Sequence, residues 1–243
     1  LLLADTLREF ISYAVGCMFG RFSLDKDGLI LANQGETLEV YLKQIPNPSF
    51  EPDDDNVIPL IDLELEKGKQ DDWFEDDISE RFKVFLKVTF GTENYDKNLC
   101  FIEDAIGKNI KKFFLKDFYT DHVKRYKKRP IYWLFSSPKG SFNALIYMHR
   151  YRSDTVSVVL NDYLREFRTK LEAKKESYEQ TSFSANAELA DKAKALKAVE
   201  KIKAVLEEVK DYERDILYPL AGQNIEIDLD DGVKHNYPLF GKA

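Results

Sequence analysis

The chain has 243 residues, 44% hydrophobic and 33% charged, with 36 Lys and Arg against 43 Asp and Glu, a formal net charge of −7. Such a length buries a substantial core, the 17 Phe and 13 Tyr exclude wholesale disorder, and the acidic balance excludes non-specific coating of nucleic acid while leaving room for a local basic surface. Two cysteines, Cys17 and Cys100, are too few for a disulfide framework and point to a reducing, cytoplasmic compartment.

The chain opens on Leu1 rather than Met, so it is expected to be a piece of something longer. Residues 1–20 are apolar but broken by Asp5, Arg8 and Glu9, too short and too charged to span a bilayer. They also lack the basic start and small-residue cleavage site of a signal peptide. Within them Leu7, Phe10, Ile11, Ala14, Val15, Met18 and Phe19 recur at three- and four-residue spacing, which predicts a buried helix over 4–20. Gly20 and Gly28 punctuate a turn. Pro46, Pro48, Pro52 and Pro59 make 46–72 an irregular connection in which only Val57 to Leu65 suits a short strand. Ile78, Phe82, Phe85, Leu86 and Thr89 predict a helix from Asp76 to Thr89 that stops at Gly91. A second is expected from about Tyr95 to Ile106, stopping at Gly107, and a third from about Asn109 to Tyr126, with Ile110, Phe113, Phe114, Phe118 and Val123 inward.

After Pro130 the period changes to two. Ile131, Trp133 and Phe135 alternate with Tyr132, Leu134 and Ser136, and the run Phe142 to His149 alternates again. A β-hairpin follows, with a type I turn at Ser137-Pro138-Lys139-Gly140 and Lys139 at its tip. It is expected to pack on helix 109–126 with one face on the core, burying Trp133 and Phe135. Val156, Leu160, Tyr163, Phe167 and Leu171 form one helical stripe, and Val199, Ile202, Leu206, Val209 and Ile216 form another. The polar break from Gln180 to Asn186 between them predicts an antiparallel helical pair over about 155–217. Ile225 to Ala243 holds turn signals at Asp231-Gly232 and Pro238, with room for one strand. The fold class expected is mainly α (α+β): a helical domain with a β-hairpin and a long antiparallel helical pair. Residues 1–150 are expected to form a helical region with acidic loop, basic helix and hairpin, and 151–243 the pair with a C-terminal extension, the two making one compact fragment of a larger protein.

The strongest chemical feature is charge segregation. Glu51 to Glu80 holds 13 acidic residues against Lys67 and Lys69, whereas Lys108 to Arg129 holds nine basic ones against Asp117 and Asp121. The basic run Lys124-Arg125-Tyr126-Lys127-Lys128-Arg129 leads directly into the aromatic hairpin, a juxtaposition suited to phosphate neutralisation and base or sugar contact. Lys139, Arg150 and Arg152 extend the candidate surface. The bland alternative is a solvated helix end, where cations complement the dipole. Asp53-Asp54-Asp55, Asp71-Asp72 and Asp76-Asp77 invite a metal or nuclease reading, but they sit between prolines with no histidine nearby, so a solvated acidic loop is the expectation. Ser23 to Gln34 echoes a calcium loop with Gly28 at its sixth position, but Gln34 stands where a bidentate Glu is required, and it reads as a turn. Asn47-Pro48-Ser49-Phe50 departs from the N-P-P-[YF] adenine-gripping motif at its third position. His122, His149 and His235 are scattered, no zinc spacing or nucleophile–base pair occurs, and no glycine-rich cofactor loop follows a strand. Catalytic, cofactor-binding and metal-binding residues are therefore expected to be none.

Four blocks carry a resemblance: Ile11 through Asp25 (ISYAVGCMFGRFSLD), Pro52 through Pro59 (PDDDNVIP), Lys124 through Tyr151, and Asp211 through Ala221 (DYERDILYPLA). They are similar to the C-terminal part of the PglX adenine-specific DNA methyltransferases of BREX phage-defence systems, relatives of type IIG restriction–modification enzymes. The resemblance runs across nearly the whole chain. It implies a full-length protein that transfers a methyl group from S-adenosylmethionine to adenine N6 in a short DNA motif, marking host DNA as self. In that family the cofactor loop and N-P-P-[YF] motif lie upstream, so no catalytic residue carries over, and Asn47 to Phe50 is not given that role.

The expected function is a non-catalytic region supporting DNA binding and target recognition through Lys124, Arg125, Lys127, Lys128, Arg129, Lys139, Arg150 and Arg152. Its partners would be double-stranded DNA, the catalytic methyltransferase domain of the same chain, and other phage-defence proteins, with no membrane. The competing expectation is a protein–protein docking module using the acidic loop or the helical arms. An independent metal-dependent hydrolase is set aside.

Overall fold

In the computed structural model, which describes residues 2–66, 71, 73–241 and 243, the apolar periodicity of the first half is realised as helices. They are α1 (Leu3–Met18), α2 (Leu38–Gln44) and, beyond a short strand β1 (Val57–Pro59), α3 (Ile78–Phe90), α4 (Tyr95–Ile106), α5 (Ile110–Phe113) and α6 (Tyr119–Arg125). Their ends follow local chemistry. Asp77 caps α3 by accepting the Ser79 N–H at 2.8 Å, Asn109 caps α5 through the Lys111 N–H, and α4 stops where Gly107 turns left-handed at φ 72°. A π-helical turn, Phe114–Phe118, joins α5 to α6.

The hairpin forms from β2 (Tyr132–Ser136) and β3 (Asn143–Tyr147), and β1 pairs antiparallel with β3 to give the order β1-β3-β2. The expectation of one buried face is corrected: both are covered. Val57, Phe135, Ala144 and Ile146 face one core, while Ile58, Tyr132, Leu145 and Tyr147 face the other. The reason is compositional. Apart from the Ser136–Asn143 pair at the hairpin end, both sets of alternating positions are apolar or aromatic, so neither face suits water. The second core is built by α1, α3 and the α4–α6 helices, and the hairpin docks on α6 as expected, with the Tyr119 hydroxyl donating to the Tyr132 carbonyl.

The first core lies under the helical pair. One arm runs through α7 (Thr155–Val158), a π-helical turn at Val159–Leu164 and α8 (Arg165–Phe183). The other runs through α9 (Leu189–Tyr212), a π-helical turn at Glu213–Leu217 and α10 (Tyr218–Ala221). Phe167 and Leu171 share a core with Ala198, Ile202 and Val209. The expected break is present but shorter, since helix continues through Gln180 to Phe183 before the chain turns. The C-terminal extension contains helical turns, including α11 (Val233–Asn236), rather than the strand allowed for it. It covers Trp133, which is only partly buried, with the rings of Tyr237 and Phe240 at 4.9 and 5.0 Å. No helix among the described residues is long and apolar enough to cross a membrane.

The acidic segment is also corrected, from a solvated loop to a strap bonded between the sheet and the helical pair. The Asp71 carboxylate pairs with Lys174 at 2.5 Å, Glu66 accepts from the Tyr178 hydroxyl, and Trp73 Nε1 donates to the Leu63 carbonyl. Asp53 accepts the Val57 N–H and Asp77 that of Ile61. These carboxylates are held by donors that only the folded chain brings near. Lys67, Lys69 and Asp72 lie outside the described residues.

Candidate nucleic-acid interface

The basic run begins in the last turns of α6 and leaves it through an unusual reversal. Lys127 and Lys128 take φ of 49° and 63°, the left-handed region normally given to glycine. The turn is closed by three backbone bonds: Lys127 N–H to the Lys124 carbonyl, Lys128 N–H to Val123 at 2.8 Å, and Arg129 N–H to Tyr126 at 2.8 Å. Beneath it His122 is buried against Tyr126 and Tyr132, and its Nε2 accepts the Ile131 N–H at 3.1 Å. Burial, reinforced by Arg21 and Arg125, pushes its pKa down to about 4, so the ring is neutral at pH 7 and able to accept. The outcome is a fixed turn presenting Lys124, Lys127, Lys128 and Arg129 to solvent. Among the described residues, no carboxylate pairs with these four side chains.

The other expected residues divide differently. Arg125 ties α6 to α1, its Nε on Asp121 at 2.9 Å and Nη1 on Glu9 at 3.2 Å. Arg150 is only 5% exposed and donates to the carbonyls of Phe19, Asp53 and Asp54, which removes it from the surface expected for it. Its guanidinium supplies donors to backbone acceptors, two of them in buried bonds at Phe19 and Asp53. Lys139 keeps an exposed side chain, but β2 separates it from Arg129, a strand length of roughly 17 Å at 3.3 Å per residue. The hairpin tip is instead clamped by Glu208 of α9, which accepts from Ser137 Oγ at 2.6 Å, the Lys139 N–H at 2.7 Å and Ser141 Oγ at 2.5 Å. Burial opposes the charge on Glu208, but these bonds outweigh it and hold the carboxyl below its usual range. Arg152 is exposed and paired with Asp154 at 3.2 Å.

The basic turn forms one wall of a cleft of about 820 Å³. Ile131, Met148 and Tyr237 line it too, as does the segment from Leu229 to Asn236, which brings Asp230, Asp231 and Lys234. His149 also lines it. Burial and Arg21 push its pKa down to about 4, so it brings no charge at neutral pH. The sequence signalled a turn at Asp231-Gly232 but not that the turn comes to line the same cleft as Lys127 to Arg129.

The remaining candidates resolve into structure. Asp25 accepts from both the N–H and the hydroxyl of Ser49, and Gln34 bonds Ile227 and Leu229, so the calcium-like loop serves to pin neighbouring segments. Phe50 is buried edge-on against Phe85 at 5.4 Å with Arg81 over its ring at 5.6 Å, a packing role for the N-P-S-F segment. The carboxylates of Asp53, Asp54 and Asp55 bring oxygens within 4.8 Å of one another, but those of Asp53 and Asp55 both accept the Val57 N–H. Tyr163 reaches Asp55 and Asp76 at 2.9 Å each, and burial raises both acids.

No family model matches the chain. It is 35% identical, over 98% of its length, to the adenine-specific methyltransferase BrxX of Escherichia coli O9:H4 (strain HS). It is 37% identical, over 97% of its length, to the adenine-specific methyltransferase PglX of Lacticaseibacillus casei (strain Zhang). The chain spans 20% and 19% of the length of these curated relatives. With identity at this level sustained over nearly the whole sequence, the chain is a PglX-type sequence, matching about a fifth of the BrxX and PglX adenine-specific methyltransferases.

Proposed function

We propose that this chain is a non-catalytic, DNA-engaging part of an adenine-specific DNA methyltransferase, acting in the cytoplasm in phage defence. The full-length protein would use S-adenosylmethionine to methylate adenine N6, and this part would hold the duplex and support target recognition. The observation that carries the reading is the turn of cations Lys124, Lys127, Lys128 and Arg129, which pair with no carboxylate among the described residues, on a molecule of net charge −7. Clustered like charges without internal partners favour an external polyanion, and a duplex offers one phosphate charge per ~1.7 Å of its axis. Arg125, held by Asp121 and Glu9, would position the turn rather than contact DNA.

Replacing Lys124, Lys127, Lys128 and Arg129 with Gln in the full-length methyltransferase tests this. Affinity should fall for every duplex sequence, and the slope of log affinity against log salt should flatten by up to about 0.9 per lost phosphate contact. Unchanged affinity and slope would reduce the turn to a solvated helix end.

One observation favours a second reading, a docking contact for another defence protein. Phe183 and Leu189, flanking the turn of the helical pair, are 84% and 86% exposed. If Phe183→Ser with Leu189→Ser abolishes phage protection while DNA affinity and methylation persist, the tip serves a protein partner.

A further inference from the structure

The cleft beside the basic turn carries more information than a phosphate contact needs. Its lining carries two chemistries. Lys127, Lys128 and Arg129, with Lys234 of the C-terminal segment, offer only donors and positive charge, whereas Asp230 and Asp231, which line the same cleft, offer only acceptors. Pro130, Ile131, Met148 and the Tyr237 ring also line it and supply apolar surface suited to a sugar or base face. The volume of about 820 Å³ is in the range of sites that enclose a small organic ligand.

Both segments are held by hydrogen bonds to their backbone. The lysine turn is closed onto Val123, Lys124 and Tyr126 as described above. On the acidic wall, Gln34 donates to the Ile227 carbonyl at 2.7 Å and accepts the Leu229 N–H at 2.6 Å. The Asp228 carboxylate accepts the Asp230 N–H, two residues on, at 2.9 Å, and Asn236 donates to the Asp228 carbonyl at 2.5 Å. Tyr237 joins the two walls, its hydroxyl donating to the Pro130 carbonyl. Asp231 has His235 Nε2 at 3.7 Å, while among the described residues the Asp230 carboxylate has no side-chain partner. The backbone that carries these side chains is therefore already in place before a ligand binds.

A carboxylate in a phosphate-binding cleft is a liability for simple backbone contact, because it repels the same phosphates. It becomes useful where the ligand presents a donor a short distance from its phosphate. A nucleotide does so when its base carries an exocyclic amino group, as adenine and cytosine do in the major groove. Resting on the DNA-engaging role proposed above, we infer that this cleft reads a base: phosphate on Lys127 to Arg129, sugar or base face on Ile131 and Tyr237, and the amino group of adenine or cytosine on Asp230, assisted by Asp231.

Three variants of the full-length methyltransferase separate this inference from the reading beneath it, each assayed on a pool of duplexes randomised around the methylated adenine. Asp230→Ala with Asp231→Ala removes the acceptors, and discrimination at one or two base positions should fall by about fivefold or more. Asp230→Asn with Asp231→Asn keeps an acceptor oxygen but not the charge, so affinity should rise at every sequence with the base preference largely kept. Lys127→Gln with Lys128→Gln should lower affinity and flatten the salt slope while leaving the preference intact. An Ala variant with unchanged base preference overturns the inference and leaves the DNA-engaging role standing. A lysine variant with unchanged affinity and slope overturns both.

Discussion

His122 shows how one side chain can commit a region to a charge state. Its Nε2 accepts the Ile131 N–H where α6 hands over to the sheet, and an imidazolium has no lone pair to offer there. Because its folded pKa of about 4 lies below the ordinary 6.5, the neutral ring contributes its full stabilisation above pH 6.5. That contribution is lost as pH falls from 6.5 to 4, on the order of 3 kcal/mol in all. His122→Gln removes the titration while keeping an acceptor. Urea unfolding of the two proteins across pH 4–7 should therefore give a smaller acid loss for the variant. His149 titrates over the same window in both proteins and cancels from the difference. Arg150 makes the complementary point about charge. In the sequence it is indistinguishable from Arg152 two residues away, yet one is buried among backbone carbonyls and the other is exposed. Only the three-dimensional surroundings decide which cation meets solvent.

At the scale of elements, the hairpin tip depends on a helix far along the chain. Glu208 of α9 collects donors from Ser137, Lys139 and Ser141, so the turn is held by a charge-assisted cluster as well as by its own type I geometry. Glu208→Ala should destabilise the protein by about 3 kcal/mol, from the loss of several such bonds. Hydrogen exchange at the Lys139 and Ser141 amides should accelerate more than exchange across β2 and β3. Equal acceleration throughout the sheet would show that the clamp is global rather than local. The turn itself was legible, since Pro138 and Gly140 specify it and the Gly140 N–H indeed returns to the Ser137 carbonyl at 2.8 Å. Its clamp was not, because a carboxylate 71 positions from Ser137 leaves no local pattern. The helical stripes were visible for the same local reason. The π-helical turns inside them were not, although one places Tyr163 against Asp55 and Asp76 and another places Glu213 against Arg165 and Arg168. Within the candidate interface, the lysines were legible as a charge run, whereas the acidic wall contributed from residues 229–236 depends on a distant chain crossing.

For the whole molecule, the sheet is the layer that joins its two cores. Neighbouring residues of β3 point to opposite sides: Leu145 into the core of α1 and α3, Ile146 into the core under the helical pair. Both are fully buried, and a sheet this small cannot present either face to water if its covering layer leaves. The acidic strap adds to the connection, since it runs from β1 to α3 while bonding Lys174 and Tyr178 of the helical pair. The regions that meet at residue 150, expected from sequence to form one compact fragment, pack on opposite faces of a sheet whose strands all come from the first, and the two are expected to unfold together. Leu145→Ala and Ile146→Ala should each cost about 2–5 kcal/mol, the usual range for emptying a buried aliphatic site. More tellingly, each should lower the same single thermal transition, seen at once by Trp133 and Trp73 fluorescence and by loss of helical circular dichroism. If Leu145→Ala instead splits the melt, leaving the helical pair and its core folded at temperatures where α1 and α3 have unfolded, then the sheet belongs to one unit and merely touches the other. Residues 151–243 would then be the stabler body, and the cleft formed by the basic turn and the C-terminal segment would lie between two separable parts rather than within one.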